Sequence, residues 1–215
     1  MGKTKAHTQY LLSSGESAVG VTTVLNILNK PALVKWANNL GLKGIDSSKA
    51  RDQAADIGTI AHAMILAELT NTKADLEEYS NADIKTAENS LKSFHEWRKE
   101  HELKVILTET PLVSDKFAYG GTPDCLAIVN GELELIDFKT SNAIWDAYYY
   151  QIAAYRQLLM ENGYPKLKKA RILRIGKGKG ADFEERVITE FQDEFKLFHH
   201  CLAIYYLLKS MNRRL

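Results

Sequence analysis

Asp124, Asp137 and Lys139 are the residues whose types and spacing could do chemistry together. They bracket two apolar runs joined by Asn130-Gly131. Asn-Gly between β-prone runs signals a hairpin, because a type I′ turn needs positive φ at both central residues. Counting outward in antiparallel register, Val129 faces Glu132, Ile128 faces Leu133, Leu126 faces Leu135, and Asp124 lands opposite Asp137. Opposed like charges destabilise a sheet, and two carboxylates at that range resist joint ionisation unless a cation lies between them. A divalent metal resolves the conflict. Alternation along a strand puts Lys139 on the face of Asp137 and turns Phe138 away. Two acids and a lysine therefore converge, with the hard oxygen donors that magnesium selects. A three-residue loop or a bulge would shift this pairing by one.

The surrounding residues form an ordered set: Gly58-Thr59-Ile60-Ala61-His62, Gly121-Thr122-Pro123-Asp124, Asp137-Phe138-Lys139-Thr140 and Gln151-Ile152-Ala153-Ala154-Tyr155, spread over about 100 residues. In order and spacing this set resembles the RecB-like branch of the PD-(D/E)xK nucleases, with Asp137 in the (D/E) position. Val21-Thr22-Thr23-Val24-Leu25, and Lys30-Pro31-Ala32-Leu33 followed by Trp36, further resemble phage- and prophage-encoded members.

The resemblance implies a restriction-endonuclease-like core, one or two magnesium or manganese ions, and DNA as the partner, with a recombination protein as a further candidate partner. By the same resemblance, Asp124, Asp137, His62 and the Phe138 carbonyl ligate metal, with Glu109 a further metal or water ligand. Lys139 orients or helps deprotonate the attacking water. Gln151 and Tyr155, four apart and so on one helix face, contact the DNA backbone or position Lys139. Other readings stay open on the residues alone. His62 among Ala61, Ala63, Met64 and Ile65 also suits a packed core histidine, and Glu109 between Thr108 and Thr110 suits a solvent-facing strand residue. Tyr148, Tyr149 and Tyr150 suit either base stacking or packing of their helix on the sheet.

The activity so implied is metal-dependent hydrolysis at DNA ends, in recombination, repair or phage DNA processing. A structure-selective endonuclease and a catalytically silent DNA- or protein-binding module are the alternatives. The opposed acids argue against the silent module, since binding alone does not need them. Motif chemistry does not distinguish exonuclease from endonuclease, and the sequence indicates neither polarity nor oligomeric state.

Twenty-eight Lys and Arg against 27 Asp and Glu give a net charge of +1, so a nucleic-acid surface must be built from local clusters. The clearest runs from Lys166 to Lys179 and contains Lys166, Lys168, Lys169, Arg171, Arg174, Lys177 and Lys179 without an acid. Lys177 and Lys179 are its candidate DNA-binding residues, and the competing reading of the run is a solvated strand and turn. A second, smaller cluster is Arg213-Arg214. Two cysteines, Cys125 and Cys201, give neither a disulfide framework nor the four ligands of an iron–sulfur cluster, so none is expected. Cys125 should face away from Asp124 and pack as a small apolar residue. The leading Met-Gly-Lys-Thr-Lys-Ala lacks the apolar run of a signal peptide, and no stretch approaches membrane-spanning length. A soluble, cytoplasmic protein is expected, with no membrane partner.

The positioning elements follow from periodicity and punctuation. Short helices are predicted over 21–29 and 31–40, capped by Thr22 or Thr23 and opened by Pro31. Ser47-Ser48 caps a helix running to Leu69 with a break at Gly58, and another helix over 81–101 carries an apolar stripe of Ile84, Leu91, Phe94 and Trp97. Strands are predicted over 105–113, 116–120, 123–129 and 132–139, then a helix over 145–162. A hairpin of 170–175 and 183–188 turns around Gly176-Lys177-Gly178-Lys179-Gly180, and a final helix covers 193–211. This order predicts an α/β (α+β) fold, a mixed central sheet flanked by helices with an N-terminal helical extension. At 215 residues and 45% hydrophobic composition, one well-buried core is expected. The whole of 1–215 is read as a single nuclease domain, mainly helical over 1–101, where His62 lies, with the nuclease core over 102–215.

Overall fold

A computed structural model describes residues 8–211. The Met1–Ala6 segment and the Arg213-Arg214 cluster lie outside these described residues. The central element is a five-stranded mixed sheet in the order β3-β6-β7-β8-β9: β3 (Leu103–Thr108), β6 (Cys125–Val129), β7 (Glu132–Lys139), β8 (Lys169–Ile175) and β9 (Phe183–Ile188). The β6–β7 hairpin has the register expected of Asn130-Gly131, with Val129 opposite Glu132, Leu126 opposite Leu135 and Cys125 opposite Ile136. Both turn residues have positive φ, +49° for Asn130 and +87° for Gly131. The neighbours β7 and β8 are parallel, so the chain crosses over between them through α5 (Asp146–Glu161).

Helices cover both faces of this sheet. On one face Leu126, Leu135 and Ile172 pack with Ile152 and Leu158 of α5 and with Phe198 and Leu202 of α6 (Gln192–Ser210). On the other, Cys125, Ile136, Phe138 and Leu173 pack with Ile65 and Leu66 of α3 (Ser47–Thr70) and with Phe94 and Trp97 of α4 (Asn81–Arg98). Burying each of these large side chains contributes about 1.5–3 kcal/mol. Two-sided burial explains why β8 reads as an apolar run broken only by Arg171 and Arg174. Cys125 faces α4, away from the acids, as alternation requires. Among the described residues no helix is long and apolar enough to cross a membrane.

The structure departs from expectation at several places. A second mixed sheet, β1-β2-β5-β4, uses two strands that sequence patterning does not predict, β1 (Tyr10–Leu11) and β2 (Ser17–Gly20), with β4 (Leu112–Ser114) and β5 (Tyr119–Gly121). The single strand predicted over 105–113 is split between the two sheets. A bulge at Ile106 shifts the β3–β6 register, and the chain bends out of the sheet after Thr108. Helix α3 is continuous through Gly58, and its N-cap is Asp46, whose carboxylate accepts the Ser48 and Lys49 amides, rather than Ser47-Ser48. In the first helix, α1 (Val21–Leu25), no side chain caps the start, so Thr22 and Thr23 do not play that part. Helix α2 (Pro31–Gly41) is opened by Pro31 as expected.

Candidate active site

The hairpin brings the acids together at the sheet end nearest α3. Asp137 sits near the end of β7 with its side chain fully buried. Asp124 precedes β6, and continuing the ladder past Cys125–Ile136 puts it across from Asp137. Its Oδ2 accepts the Phe138 amide at 2.8 Å, which fixes the carboxylate against β7. Lys139 reaches back so that its ammonium contacts Asp137 Oδ2, and it also lies 4.9 Å from the Tyr148 ring centroid. Beyond that ammonium, neither Asp137 oxygen has a donor among the described residues. Buried acceptors are ordinarily satisfied, so the bare Oδ1 is the oxygen that stands out.

His62 comes from α3. Its Nδ1 is 3.7 Å from Asp124 Oδ2 and its ring stands edge-on to Phe138, with centroids 6.1 Å apart. The close approach of α3 depends on Gly58, where a Cβ would lie 2.9 Å from Thr140 Oγ1. The apolar neighbours of His62 in sequence divide between the two clusters beneath the helix, whereas the imidazole stays about a quarter exposed at the acids.

Glu109 is in the bend after β3 rather than in a strand, with φ +38°. Its amide donates to the Asp124 carbonyl at 3.1 Å, and its charge bears on both His62 and Asp124. The Ile106 bulge brings Glu109 into line with Asp124. On α5, Gln151 Nε2 donates to the Tyr155 hydroxyl at 3.0 Å. Tyr155 is 5% exposed, and its ring occupies the space a Cβ at Gly121 would need, 2.6 Å from its Cε1. Tyr148, Tyr149 and Tyr150 all pack against the α5 side of the core.

Burial dominates the electrostatics. It pushes Asp137 and Asp124 up to about 6, against the opposing pull of Lys139 on each. Their mutual repulsion adds to the rise at Asp137. For Lys139 burial acts downward, but the Asp137 and Asp124 charges outweigh it and its pKa ends above the ordinary value. Burial lowers His62 to about 4, helped by the Lys139 charge and opposed by Asp137, Glu109 and the Phe138 carbonyl. At neutral pH the imidazole is therefore neutral and free to ligate.

An open cleft of about 350 Å³ gives access to this group; its walls include His62, Phe138, Lys139, Thr140, Ser141, Tyr148, Ala54, Ala55 and Lys177. Of the basic run from Lys166 to Lys179, only Lys177, on the turn after β8, reaches the cleft. Lys169, Arg171 and Arg174 are paired with Glu132, Glu134, Glu185, Asp182 and Glu184, so they do not form the basic surface the sequence suggested. Lys179 is exposed on the same turn and does not line the cleft. Sequence patterning does not single out Tyr10, whose hydroxyl hydrogen-bonds Thr122 Oγ1 at 3.0 Å, or Asn89, Ser90 and Ser93, which hold the glycine-rich turn. Polar residues interrupting the α4 apolar stripe are the available signal for the latter three.

Among the described residues no three His, Cys, Asp or Glu side chains form a ready metal cage. Two carboxylates with open oxygens nevertheless fit magnesium, which takes one or two protein acids and completes its shell with water and substrate phosphate. The neutral His62 suits manganese better. Cys125 and Cys201 belong to separate core clusters.

No family model and no curated protein matches the chain. Among solved structures it is similar to a candidate exonuclease from Eubacterium rectale, with a TM-score of 0.52 and 14% identity over 75% of this chain and 69% of that one. It is also similar to SSO0001, with a TM-score of 0.47 and 16% identity over 94% and 79% of the two chains. LHK-Exo, in complex with dAMP, matches with a TM-score of 0.40 and 16% identity over 74% and 91%. At such identities the likeness is one of fold, and the Eubacterium rectale structure carries it: a nuclease-like α+β architecture.

Proposed function

We propose that the protein is a metal-dependent deoxyribonuclease of the RecB-like PD-(D/E)xK type that removes nucleotides from DNA ends. The observation that carries this reading is Asp137, a fully buried carboxylate with the Lys139 ammonium as its one counter-charge and no donor on Oδ1 among the described residues, set beside Asp124 at an open cleft. The fold shared with the candidate exonuclease accords with it.

Asp124 and Asp137 would hold magnesium or manganese, with His62, the Phe138 carbonyl and Glu109 as further candidate donors. A divalent cation bound there supplies Lewis-acid polarisation of the phosphate and a water of lowered pKa. The chain supplies the rest. Lys139, kept protonated by the two acids, orients the attacking water and offsets the negative charge that develops on the phosphate. Phe138 fixes the Asp124 carboxylate through its amide, so that the open oxygens are presented by a rigid strand end. Tyr155, buried and bonded to Gln151, supports the acid side of the site, while the half-buried Gln151 is the member of that pair able to meet a strand.

End-labelled linear DNA and covalently closed circles, incubated with magnesium or manganese and with either the wild type or Asp137→Ala, test the proposal. Degradation of linear DNA alone, lost in the variant, is expected. Cutting of circles would establish an endonuclease instead, and inertness toward single- and double-stranded substrates in both metals would leave a binding module.

A further inference from the structure

The cations of β8 and of the turn after it are of two kinds. Lys169, Arg171 and Arg174 each meet at least one carboxylate within 3.3 Å. Lys177 meets none: its Nζ reaches only the Ala54 carbonyl, at 3.5 Å, and no carboxylate lies within ion-pair distance of it among the described residues. It is partly buried in the wall of the cleft. Burial pulls its pKa down, with no acid offsetting the loss of water.

This placement is built rather than incidental. Asn89 Nδ2 donates to the Lys177 carbonyl at 3.2 Å and the Ser90 hydroxyl to the Gly176 carbonyl at 3.2 Å, while the Ser93 hydroxyl donates to the Asn89 carbonyl of its own helix at 2.9 Å and lies 3.3 Å from the Gly176 carbonyl. The Asp182 amide returns to Ser93 Oγ at 3.1 Å. Ser90 and Ser93 are completely buried in the apolar side of α4, a position that costs stability unless their hydroxyls find partners. For Ser90 that partner is the turn, and for Ser93 the turn supplies the donor its oxygen accepts. On its other side Arg174 holds Asp182 through two hydrogen bonds of 2.9 and 2.8 Å. A glycine-rich turn that would otherwise sample many conformations is thus fixed at both ends, and it carries one unpaired ammonium into the cleft.

We propose that Lys177 binds a backbone phosphate of the nucleic-acid strand occupying the cleft, and that α4 holds the turn in place for that contact. The inference rests on the nucleic-acid reading of the cleft given above. Lys139 is committed to Asp137, so Lys177 is the lining lysine available to an anion. A phosphate replaces the weak carbonyl contact with a charge-assisted one. The contact positions the strand without reading its sequence.

Anisotropy titration of a labelled single-stranded oligonucleotide with the full-length chain in EDTA, at salt from about 50 to 200 mM, tests this. Lys177→Ala should weaken binding about 3- to 10-fold and reduce the slope of log affinity against log salt by about 0.7, one phosphate contact on a single strand. Lys177→Arg should keep the slope, and Lys179→Ala should change affinity less than Lys177→Ala. Unchanged affinity and slope in Lys177→Ala overturn the assignment while leaving the nuclease reading intact. Equal losses in the Ala and Arg variants would show a damaged turn rather than a lost contact and also overturn it. A wild type that does not bind the strand overturns this inference, and it overturns the reading beneath it only if the degradation of linear DNA expected above is absent as well. Inorganic phosphate added at constant ionic strength should leave the difference between wild type and Lys177→Ala in place; if it erases that difference, the site takes free phosphate and the strand assignment fails.

Discussion

Strand β7 carries two buried acids three positions apart, and alternation sends them to opposite faces of the sheet. Glu134 faces α4 and is saturated: Arg171 donates to both its oxygens at 3.0 and 3.3 Å, and Lys169 adds a third contact at 2.9 Å. Arg171 in turn reaches Glu185, which also accepts the Trp97 indole at 2.7 Å. Asp137 faces α5 with one lysine against Oδ2 and no further donor among the described residues. Its neighbour Asp124 is half-committed to a backbone amide. The first cluster is closed, with its cations supplied by the strands that form it. The second is left short of positive charge in a region where burial is equally deep. Buried ionic groups serve structure when they are complete, and an incomplete set is costly enough that it points to a ligand.

Breaking each cluster separately should sharpen this contrast. The largest effect expected is on rate: Asp137→Asn should lower DNA hydrolysis about 10³-fold, as a loss of electrostatic stabilisation at the reacting phosphate would. In the same variant the metal-free protein should be more stable at neutral pH, by about 1–3 kcal/mol, because a carboxylate whose pKa burial raises, and which is therefore costly to keep ionised, has been removed. Urea unfolding in EDTA checks this, and destabilisation would place Asp137 with the structural group. Glu134→Gln should do the reverse. It leaves Arg171 buried with a weakened partner, costs about 3–5 kcal/mol, and leaves the rate per folded molecule nearly unchanged.

pH separates the clusters without mutation. Asp124 and Asp137 have folded pKa values near 6, above their unfolded values, so their stabilising contribution is present at low pH and is lost as pH rises through 6. His62, lowered to about 4, acts oppositely, and its contribution is lost as pH falls from 6.5 through 4. Manganese must displace the acid protons, so the rise in melting temperature it produces should be several degrees at pH 7.5 and nearly absent at pH 5. Calorimetry or dye-based melting reads this directly, and a metal effect independent of pH would break the assignment of the ligands. The smallest effects belong to the packing around the site. Gly121→Ala forces the Tyr155 ring aside and should cost about 1–3 kcal/mol together with part of the activity. Gly58→Ala meets only the Thr140 hydroxyl and should cost less in the same melting assay.

How much of this is legible in the sequence depends on how local the cause is. The β6–β7 register follows from two turn residues and the alternation beside them, so the order of residues alone suffices to place Asp124, Asp137 and Lys139. Helix α3 is legible as a helix, but Gly58 reads as a breaker until one sees that its missing side chain makes room for Thr140. The split between β3 and β4 is not legible, because it arises from a bulge and from pairing with β5 in another sheet. For the same reason β1 and β2 escape a reading by pattern: they are short, and β2 pairs in parallel with a strand about 100 residues away. The charges of Lys169, Arg171 and Arg174 are visible, yet the acids that neutralise them arrive from β7 and β9. Only the ladder reveals that Arg171 sits between Ile136 and Val187, next to Glu134 and Glu185.

The docking of α3 across Thr140 also has a meaning for biosynthesis. The carboxylate pair is bound up with a single hairpin, the Asp124 side chain bonding an amide only fourteen positions along the chain. Such a unit closes quickly and at little entropic cost. His62 emerges from the ribosome earlier and must wait for that hairpin, and Lys177 comes later still. On the proposed function the complete cutting apparatus therefore exists only in the finished tertiary structure, and a nascent or half-unfolded chain meeting DNA has the acids without the groups that complete them.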